Sequence, residues 1–393
     1  PGYRVSQFFP MTASSASRLL RNAPRSSRSF SSCAAREAFS LPQFAETVTP
    51  RPLVDRYRRR MEYLRISLTD RCNLRCMYCM PEEAVDFAPS DELLTVDELA
   101  RISSVLVELL GIRKVRLSGG EPTVRKDFEE ICDMLGSLRA NGADGPGLHA
   151  LGITTNAVRL PRYIPTLQRN GIREVNISLD TLVPVKFQFI ARRDAKNFHV
   201  VHNTICELAD NPFFRLKVNC VVLKGVNDDE ILDFVELTRT LPLDVRFIEF
   251  MPFSGNKWEE GKMVPKAKML EKLTDKFGES LRPVRTDRAS TAKMWQVDGY
   301  AGRVGIISSM TDEFCGGCNR VRLTADGSIM NCLFGTDEFP VRDALRSGAT
   351  TAELMDIVQS AADAKHARLG GREDMHDLNS AEALNRPMVR IGG

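Results

Sequence analysis

Six of the ten cysteines in this 393-residue chain stand in two groups of three. The first group lies in Asp70-Arg71-Cys72-Asn73-Leu74-Arg75-Cys76-Met77-Tyr78-Cys79, a CxxxCxxC pattern. Three thiolates on one loop can hold three irons of a [4Fe–4S] cluster, leaving the fourth iron open to an outside ligand. An open iron can bind the amino and carboxylate groups of S-adenosylmethionine. One electron passed to the sulfonium then breaks a carbon–sulfur bond and releases a 5′-deoxyadenosyl radical. Zinc usually asks for four ligands, often as two CxxC-type pairs, and this spacing with no nearby fourth ligand suits it poorly. The aromatic ring of Tyr78, just before the third cysteine, is placed to lie along an adenine. Downstream, Ser118-Gly119-Gly120-Glu121-Pro122 ends an apolar run, where two glycines permit close approach of the backbone to a ligand.

The second group is Cys315-Gly316-Gly317-Cys318, followed by Cys332. Again three thiolates are offered. His366 and His376 keep a zinc site open in principle, but a second [4Fe–4S] cluster whose open iron holds substrate is the better reading. Between these cysteines, Arg320 and Arg322 alternate on an extended segment and so point the same way. Guanidinium groups make bidentate contacts to phosphate oxygens. Arg65, Arg116 and Lys217 add charge within otherwise apolar strands, a costly placement unless partnered. Five cations aimed at one mouth imply an anionic substrate such as a triphosphate.

Elements that position these residues are legible in the apolar periodicity. Tyr63–Thr69, Lys114–Leu117, Leu148–Thr155, Glu174–Leu179, Leu216–Leu223 and Val245–Phe250 read as strands with helical patterns between them. Thr95 and Glu98 form a capping box that opens one of those helices. Six β/α repeats predict an α/β fold, an incomplete (β/α)6 TIM-like barrel with a parallel sheet. Chemistry in such barrels sits at the C-terminal strand ends, where every motif above falls. After Met251 the repeat stops. Ala292–Ser308 reads as antiparallel strands broken at Asp298-Gly299, and a helix is expected near Thr351–Arg368. The expected organisation is a barrel over 51–251, a smaller α+β domain with the second cluster over 252–340, and a C-terminal extension over 341–393.

Charge and composition narrow the function classes. The net charge is +3, yet residues 1–36 hold six Arg and no Asp, Glu or Lys, which leaves the rest near −3. A basic nucleic-acid surface is not indicated. An N-terminus rich in Arg and Ser and poor in acids has the composition of a mitochondrial presequence, so residues 1–50 are expected to be a largely disordered presequence and linker and the protein to act in the matrix. No apolar run is long enough for a membrane span. Cys132, Cys206 and Cys220 sit in apolar surroundings and read as buried structural thiols.

With both cysteine groups in order, the chain resembles the radical S-adenosylmethionine superfamily and, within it, the molybdenum cofactor biosynthesis protein A (GTP 3′,8-cyclase) family. The likeness spans about residues 62–393. It includes Leu151-Gly152-Ile153-Thr154-Thr155-Asn156, Asn176-Ile177-Ser178-Leu179-Asp180, Lys217-Val218-Asn219, Arg246-Phe247-Ile248-Glu249-Phe250-Met251 and the terminal Gly392-Gly393. Ala157 departs from the glycine usual in the family. The resemblance implies that Cys72, Cys76 and Cys79 hold one cluster and Cys315, Cys318 and Cys332 the other. Tyr78, Gly120, Ser178 and Met251 would contact S-adenosylmethionine. Arg65, Arg116, Thr154, Lys217, Arg320 and Arg322 would contact GTP, with Val321 through its backbone. Gly392 and Gly393 would project into the site. The implied reaction moves the hydrogen of ribose carbon 3′ to the adenosyl radical, closes carbon 3′ onto guanine carbon 8, and ends with an electron and a proton at (8S)-3′,8-cyclo-7,8-dihydroguanosine triphosphate.

Implied partners are GTP, S-adenosylmethionine, an electron donor the sequence does not identify, and a cyclic pyranopterin monophosphate synthase that takes the product. A homodimer is the working expectation; neither nucleic acid nor membrane is expected. One rival reading is a radical enzyme of the same superfamily with an auxiliary cluster acting on a peptide, which would need no cationic cradle; the other is a non-catalytic zinc or iron–sulfur scaffold that binds nucleic acid, against which the charge near −3 argues.

Overall fold

The computed structural model describes residues 48–80, 87–142, 145–380 and 386–392. Residues 1–47 of the expected presequence and linker, and Gly393, lie outside them. Six strands follow in sequence: β1 (Tyr63–Ser67), β2 (Lys114–Ser118), β3 (Ala150–Thr155), β4 (Glu174–Ser178), β5 (Arg215–Val222) and β6 (Asp244–Glu249). Each pairs in parallel with the next. All six match expected strands within two residues at either end.

Parallel neighbours need a crossover, and helices supply most of them. These are α1 (Val96–Ser104), α2 (Phe128–Ser137), α3 (Ile164–Arg169), α4 (Pro184–Ala191), α5 (Lys196–Ala209) and α6 (Ile231–Leu237). The capping box at α1 forms: Thr95 Oγ1 accepts from Glu98 N at 3.2 Å, and Thr95 N donates to Glu98 Oε2 at 2.8 Å. Such a cap contributes about 1 kcal/mol. The α-helix ends at Ser104, and the turn that continues it, Val105–Leu109, widens into a π-helical turn.

Side chains alternate across a strand, so each of these strands divides its work. Leu64, Ile66, Val115, Leu117, Ile153, Val175, Ile177, Val218, Val245 and Phe247 are fully buried. The residues between them are the polar ones: Tyr63, Arg65, Lys114, Arg116, Thr154, Asn176, Lys217, Asn219 and Arg246. They line a common cavity.

The remaining strands extend the same sheet at both ends. Its order is β12-β11-β10-β1-β2-β3-β4-β5-β6-β9-β8-β7. On one side, β7 (Leu281–Val284), β8 (Lys293–Val297) and β9 (Arg303–Ile307) are antiparallel to one another, and β9 runs parallel to β6. On the other, β10 (Arg320–Leu323) runs parallel to β1 and is continued by β11 (Ser328–Met330) and β12 (Glu338–Pro340). The connection from β9 to β10 therefore passes from the β6 side to the β1 side, and it carries Cys315 and Cys318. After α7 (Lys266–Phe277) and α8 (Val341–Arg346), α9 spans Thr351–Asp363, ending five residues before the expected Arg368. Its exit turns Lys365 inward. The short helices α10 (Met375–Asn379) and α11 (Met388–Ile391) complete the described chain. No described helix is long and apolar enough to cross a membrane.

Candidate active site

The loop that follows β1 carries Cys72, Cys76 and Cys79, and neighbouring backbone fixes it on two sides. Arg75 N donates to Ala191 O at 2.9 Å and Met77 N to Ile190 O at 3.0 Å, tying the loop to the end of α4. Gly120 N donates to Thr69 O at 2.7 Å and Glu121 N to Arg71 O at 2.9 Å, tying it to the turn after β2. A Cβ on Gly120 would lie 2.5 Å from Arg71 O, and one on Gly119, which has φ 140°, 2.4 Å from Thr69 O. The glycine pair thus makes room for the cysteine loop's own backbone.

Glu121 of that turn is fully buried. Its carboxylate accepts from Thr123 N, Thr123 Oγ1, Thr155 Oγ1 at 2.8 Å and Asn156 N at 2.7 Å. Asn156 in turn donates to Asn73 Oδ1 at 2.7 Å and lies 3.7 Å from Cys72 Sγ. A carboxylate on β2's turn therefore positions an amide on β3's turn beside the first thiol. Ala157, next in line, is buried in the left-handed region at φ 61°, a conformation that suits the glycine usual there.

The thiols themselves resist ionisation. Burial pushes Cys72 up to about 11, helped by the charge of Glu121. Cys76 and Cys79 are raised further, again by burial first and then by Asp180 and the neighbouring cysteines. Thiolates here need a metal to displace their protons. Among the described residues no three His, Cys, Asp or Glu side chains converge on a single-ion site. Tyr78, adjacent to Cys79, is held by a buried hydrogen bond from its Oη to Asp180 Oδ2 at 2.8 Å. Asp180 also accepts from Val221 N at 2.9 Å, and burial raises its carboxyl to about 6.

Facing this loop is a cavity of about 550 Å³. The strand register builds its charge. Arg322, Arg65 and Arg116 are cross-strand neighbours on β10, β1 and β2, and Arg320, Tyr63 and Lys114 form the adjacent row. All five expected cations, Arg65, Arg116, Lys217, Arg320 and Arg322, line the cavity, as do Thr154, Ser178, Tyr78 and Met251. Val321 points the other way and is fully buried, leaving only its backbone to the site. Arg116 is the most constrained cation: it donates to Tyr63 Oη at 2.7 Å, to Ile153 O at 3.0 Å and to Glu174 Oε2 at 2.9 Å. Gly152 provides its space, since a Cβ there would sit 3.2 Å from the guanidinium carbon.

Glu174 is the counter-charge of the cradle. Lys114 lies 2.9 Å and Lys217 3.8 Å from its Oε2. Burial opposes its ionisation, but Lys217, Lys114 and Arg116 outweigh that and hold it down at about 2. The cations still outnumber it. Burial and its cationic neighbours pull Lys217 down to about 8, and burial brings Arg322 to about 9 and Arg246 to about 10. Charge this concentrated and partly desolvated calls for an anion. Among the described residues the buried Thr154 Oγ1 and Asn176 Oδ1 have no hydrogen-bond partner, as expected of groups awaiting a polar ligand.

The second cysteine group borders the same cavity, through Cys315, Cys318 and Cys332. Burial sends Cys315 up to about 12. Burial also raises Cys318, but Lys365 and Arg320 prevail and its thiol lies below the ordinary value. Glu249 at the end of β6 anchors the approach to this group, accepting from Met310 N at 2.9 Å, Thr311 N at 3.0 Å and Thr311 Oγ1. The C-terminal tail enters from the β1–β2 side: Arg322 Nη1 donates to Gly392 O at 3.0 Å.

Comparison with known proteins settles the family. The Radical SAM superfamily model matches residues 66–238, and the Molybdenum Cofactor Synthesis C model matches residues 243–370. The mitochondrial GTP 3′,8-cyclase of Arabidopsis thaliana is 47% identical over 369 residues, covering 94% of this chain and 90% of that one. The chain belongs to the GTP 3′,8-cyclase family. The GTP 3′,8-cyclase of Syntrophomonas wolfei is 37% identical over 345 residues and is covered along its whole length. Molybdenum cofactor biosynthesis protein 1 of Homo sapiens is 46% identical over 339 residues, of which this chain spans 51%. A solved structure described as native anSMEcpe with bound AdoMet is similar at a TM-score of 0.51 and 18% identity, over 83% of this chain and 93% of that one, a likeness of fold. Membership in the radical SAM superfamily implies an iron–sulfur cluster and S-adenosylmethionine.

Within this GTP 3′,8-cyclase family member, several site residues escaped sequence reasoning. Lys114 and Arg246 line the cavity with the expected cations, and Tyr63 and Glu174 neighbour them. Lys114 alternates with Arg116 in the sequence, the same signal that marked Arg320 and Arg322. Asp180 and Asn156 had no such signal, because their roles depend on what other strands bring to them.

Proposed function

We propose that this chain is a GTP 3′,8-cyclase that converts GTP, S-adenosylmethionine and a reductant to (8S)-3′,8-cyclo-7,8-dihydroguanosine triphosphate, 5′-deoxyadenosine and methionine. The observation that carries the reading is the cross-strand row Arg322–Arg65–Arg116, which lines one cavity with the second cysteine group on its wall. When bound, the cluster on Cys72, Cys76 and Cys79 supplies the electron that splits S-adenosylmethionine. Tyr78, Gly120, Ser178 and Met251 are assigned to S-adenosylmethionine, with Asp180 fixing the Tyr78 ring.

Arg65, Arg116, Lys217, Arg320 and Arg322 are assigned to the triphosphate, with Thr154 and the Val321 backbone completing the cradle. Holding the triphosphate at one wall and the guanine at the other fixes ribose carbon 3′, so one hydrogen among many is taken. The second cluster, on Cys315, Cys318 and Cys332, is assigned to the guanine edge. In this reading residues 51–251 form an incomplete barrel, 252–340 the auxiliary-cluster domain and 341–393 an extension. Gly392 and Gly393 order the radical step. The name of the plant relative and the composition of residues 1–50 support the mitochondrial matrix as the place of action. The product would pass to a cyclic pyranopterin monophosphate synthase, and the chain would act as a homodimer.

Anaerobic reconstitution with iron and sulfide, followed by GTP, S-adenosylmethionine and dithionite, tests the reading. Formation of 5′-deoxyadenosine only with GTP present is the expected result. Equal formation with a peptide and none with GTP would overturn it.

A further inference from the structure

Lys365, in the turn after α9, is 3% exposed. Its ammonium donates to the carbonyl oxygens of Arg320, at 3.2 Å, and of Asn331. Arg320 stands two residues after Cys318, and Asn331 immediately precedes Cys332. One buried cation thus ties together the two segments that bear these cysteines. The same stretch of chain reaches the third: Leu369 N lies 3.4 Å from Cys315 Sγ. Arg59 Nη1 bridges the carbonyls of Cys315, at 2.9 Å, and of Ala367, at 3.0 Å.

Arg59 has a carboxylate partner, Asp55, at 2.6 Å. Among the described residues Lys365 forms no ion pair with any carboxylate. Burying an ammonium is costly unless an opposite charge repays it. Carbonyl dipoles offset part of that cost. The positive charge of Lys365 acts on Cys318, whose thiol it helps to hold below the ordinary value, and a thiolate there would itself be costly to bury unpaired.

We propose that Lys365 is the buried counter-charge of the second cysteine group, a positioning residue that staples the Cys318 and Cys332 segments and offsets the negative charge of the cluster they hold. The inference rests on the two-cluster reading above. A fixed positive charge beside a cluster favours its reduced form, so the potential of the second cluster is higher with Lys365 than without it.

The test uses the full chain, reconstituted anaerobically, with Lys365→Met, Lys365→Gln and Lys365→Arg. Iron and sulfide content, the midpoint potential of the second cluster and GTP affinity are measured for each. The potential is read by electron paramagnetic resonance in a Cys72→Ala background. Lys365→Gln keeps donors for the two carbonyls but no charge, so it should retain the cluster with a more negative potential. Lys365→Met loses both roles and should lose about half the iron, while first-cluster iron and S-adenosylmethionine binding report that the chain is folded. Lys365→Arg should restore content and potential.

Full iron content and an unchanged potential in Lys365→Gln and Lys365→Met would overturn the proposal. So would a loss confined to GTP affinity, which would make Lys365 a substrate contact. About four irons in the unaltered chain would instead fail the two-cluster reading itself, and the proposal with it.

Discussion

Arg322 donates through Nη1 to the main-chain carbonyl of Gly392 at 3.0 Å, joining the far end of the chain to the cationic row at its centre. Gly392 adopts φ 74°, and a Cβ there would lie 2.7 Å from Ser118 Oγ and 3.1 Å from Ser67 Cβ. Val389 and Ile391 are buried and anchor the approach. A larger residue would have to displace Ser118 Oγ and adopt the left-handed backbone that glycine favours.

Removing Gly392 and Gly393, or changing Gly392→Ala, should therefore leave iron content and S-adenosylmethionine binding intact. Formation of the cyclised nucleotide should fall by about 10²-fold, the size expected of an ångström-scale misplacement. Product analysis by liquid chromatography checks this, and wild-type turnover by the truncated chain would show the tail to be dispensable.

Iron content tests the two cysteine groups separately. The reconstituted chain should carry about eight irons, from two four-iron clusters. Cys72→Ala should remove about half and abolish 5′-deoxyadenosine formation, while Cys315→Ala should remove the other half. Four irons in the intact chain, or stoichiometric zinc, would sink the two-cluster reading.

What the sequence disclosed and what it hid follow from range. Strands were legible because each alternates a fully buried apolar set, such as Val115 and Leu117, with the polar residues between them. The cysteine groups were legible because their ligands are neighbours in the chain. Register was not: nothing local says that Arg322 stands opposite Arg65 and Arg65 opposite Arg116. Nor could the neighbourhood of Glu121 announce that its carboxylate holds Asn156, since the two meet only once β2 and β3 pair. Gly119 and Gly120 suggest by sequence a close approach of the backbone to a ligand, whereas the atoms packed against them belong to the backbone of Thr69–Arg71.

Arg320 and Arg322 should behave as ligands of an anion. Arg320 lies over the rings of Tyr63 and Phe314, and Arg322 is buried beside Gly392. Replacing both with Ala should weaken GTP binding by at most a few kcal/mol, at about 1.5–3 kcal/mol per charged hydrogen bond. Both clusters should survive. Unchanged affinity in titration calorimetry would remove these residues from the phosphate site.

Proton linkage gives a test specific to the cradle. Lys217 faces Glu174, Arg246, Arg116 and Lys114, and burial together with the three cations brings it from 10.5 to about 8 despite Glu174. Burial raises Tyr63, but Arg116, Arg65 and Lys114 outweigh it and bring its hydroxyl from 10.0 to about 7. A bound triphosphate would neutralise the same cations and return both groups toward their ordinary values. Below about pH 7 both are protonated with or without GTP, and binding exchanges no proton through them. Above about 7 for Tyr63, and about 8 for Lys217, GTP binding should take up protons, so apparent affinity falls as pH rises. Stability without GTP should move the other way. A lysine with a depressed folded-state pKa costs stability below about pH 8, a cost that vanishes as pH climbs toward 10.5, and a tyrosine with a depressed pKa gains stability from about 7 toward 10. Calorimetry in buffers of different ionisation enthalpy measures the uptake, with Lys217→Met removing the component above about 8 and Tyr63→Phe the component above about 7. Binding that releases protons over this range, or is indifferent to pH, would show that the triphosphate does not lie on the Lys217–Arg116 wall of the cavity.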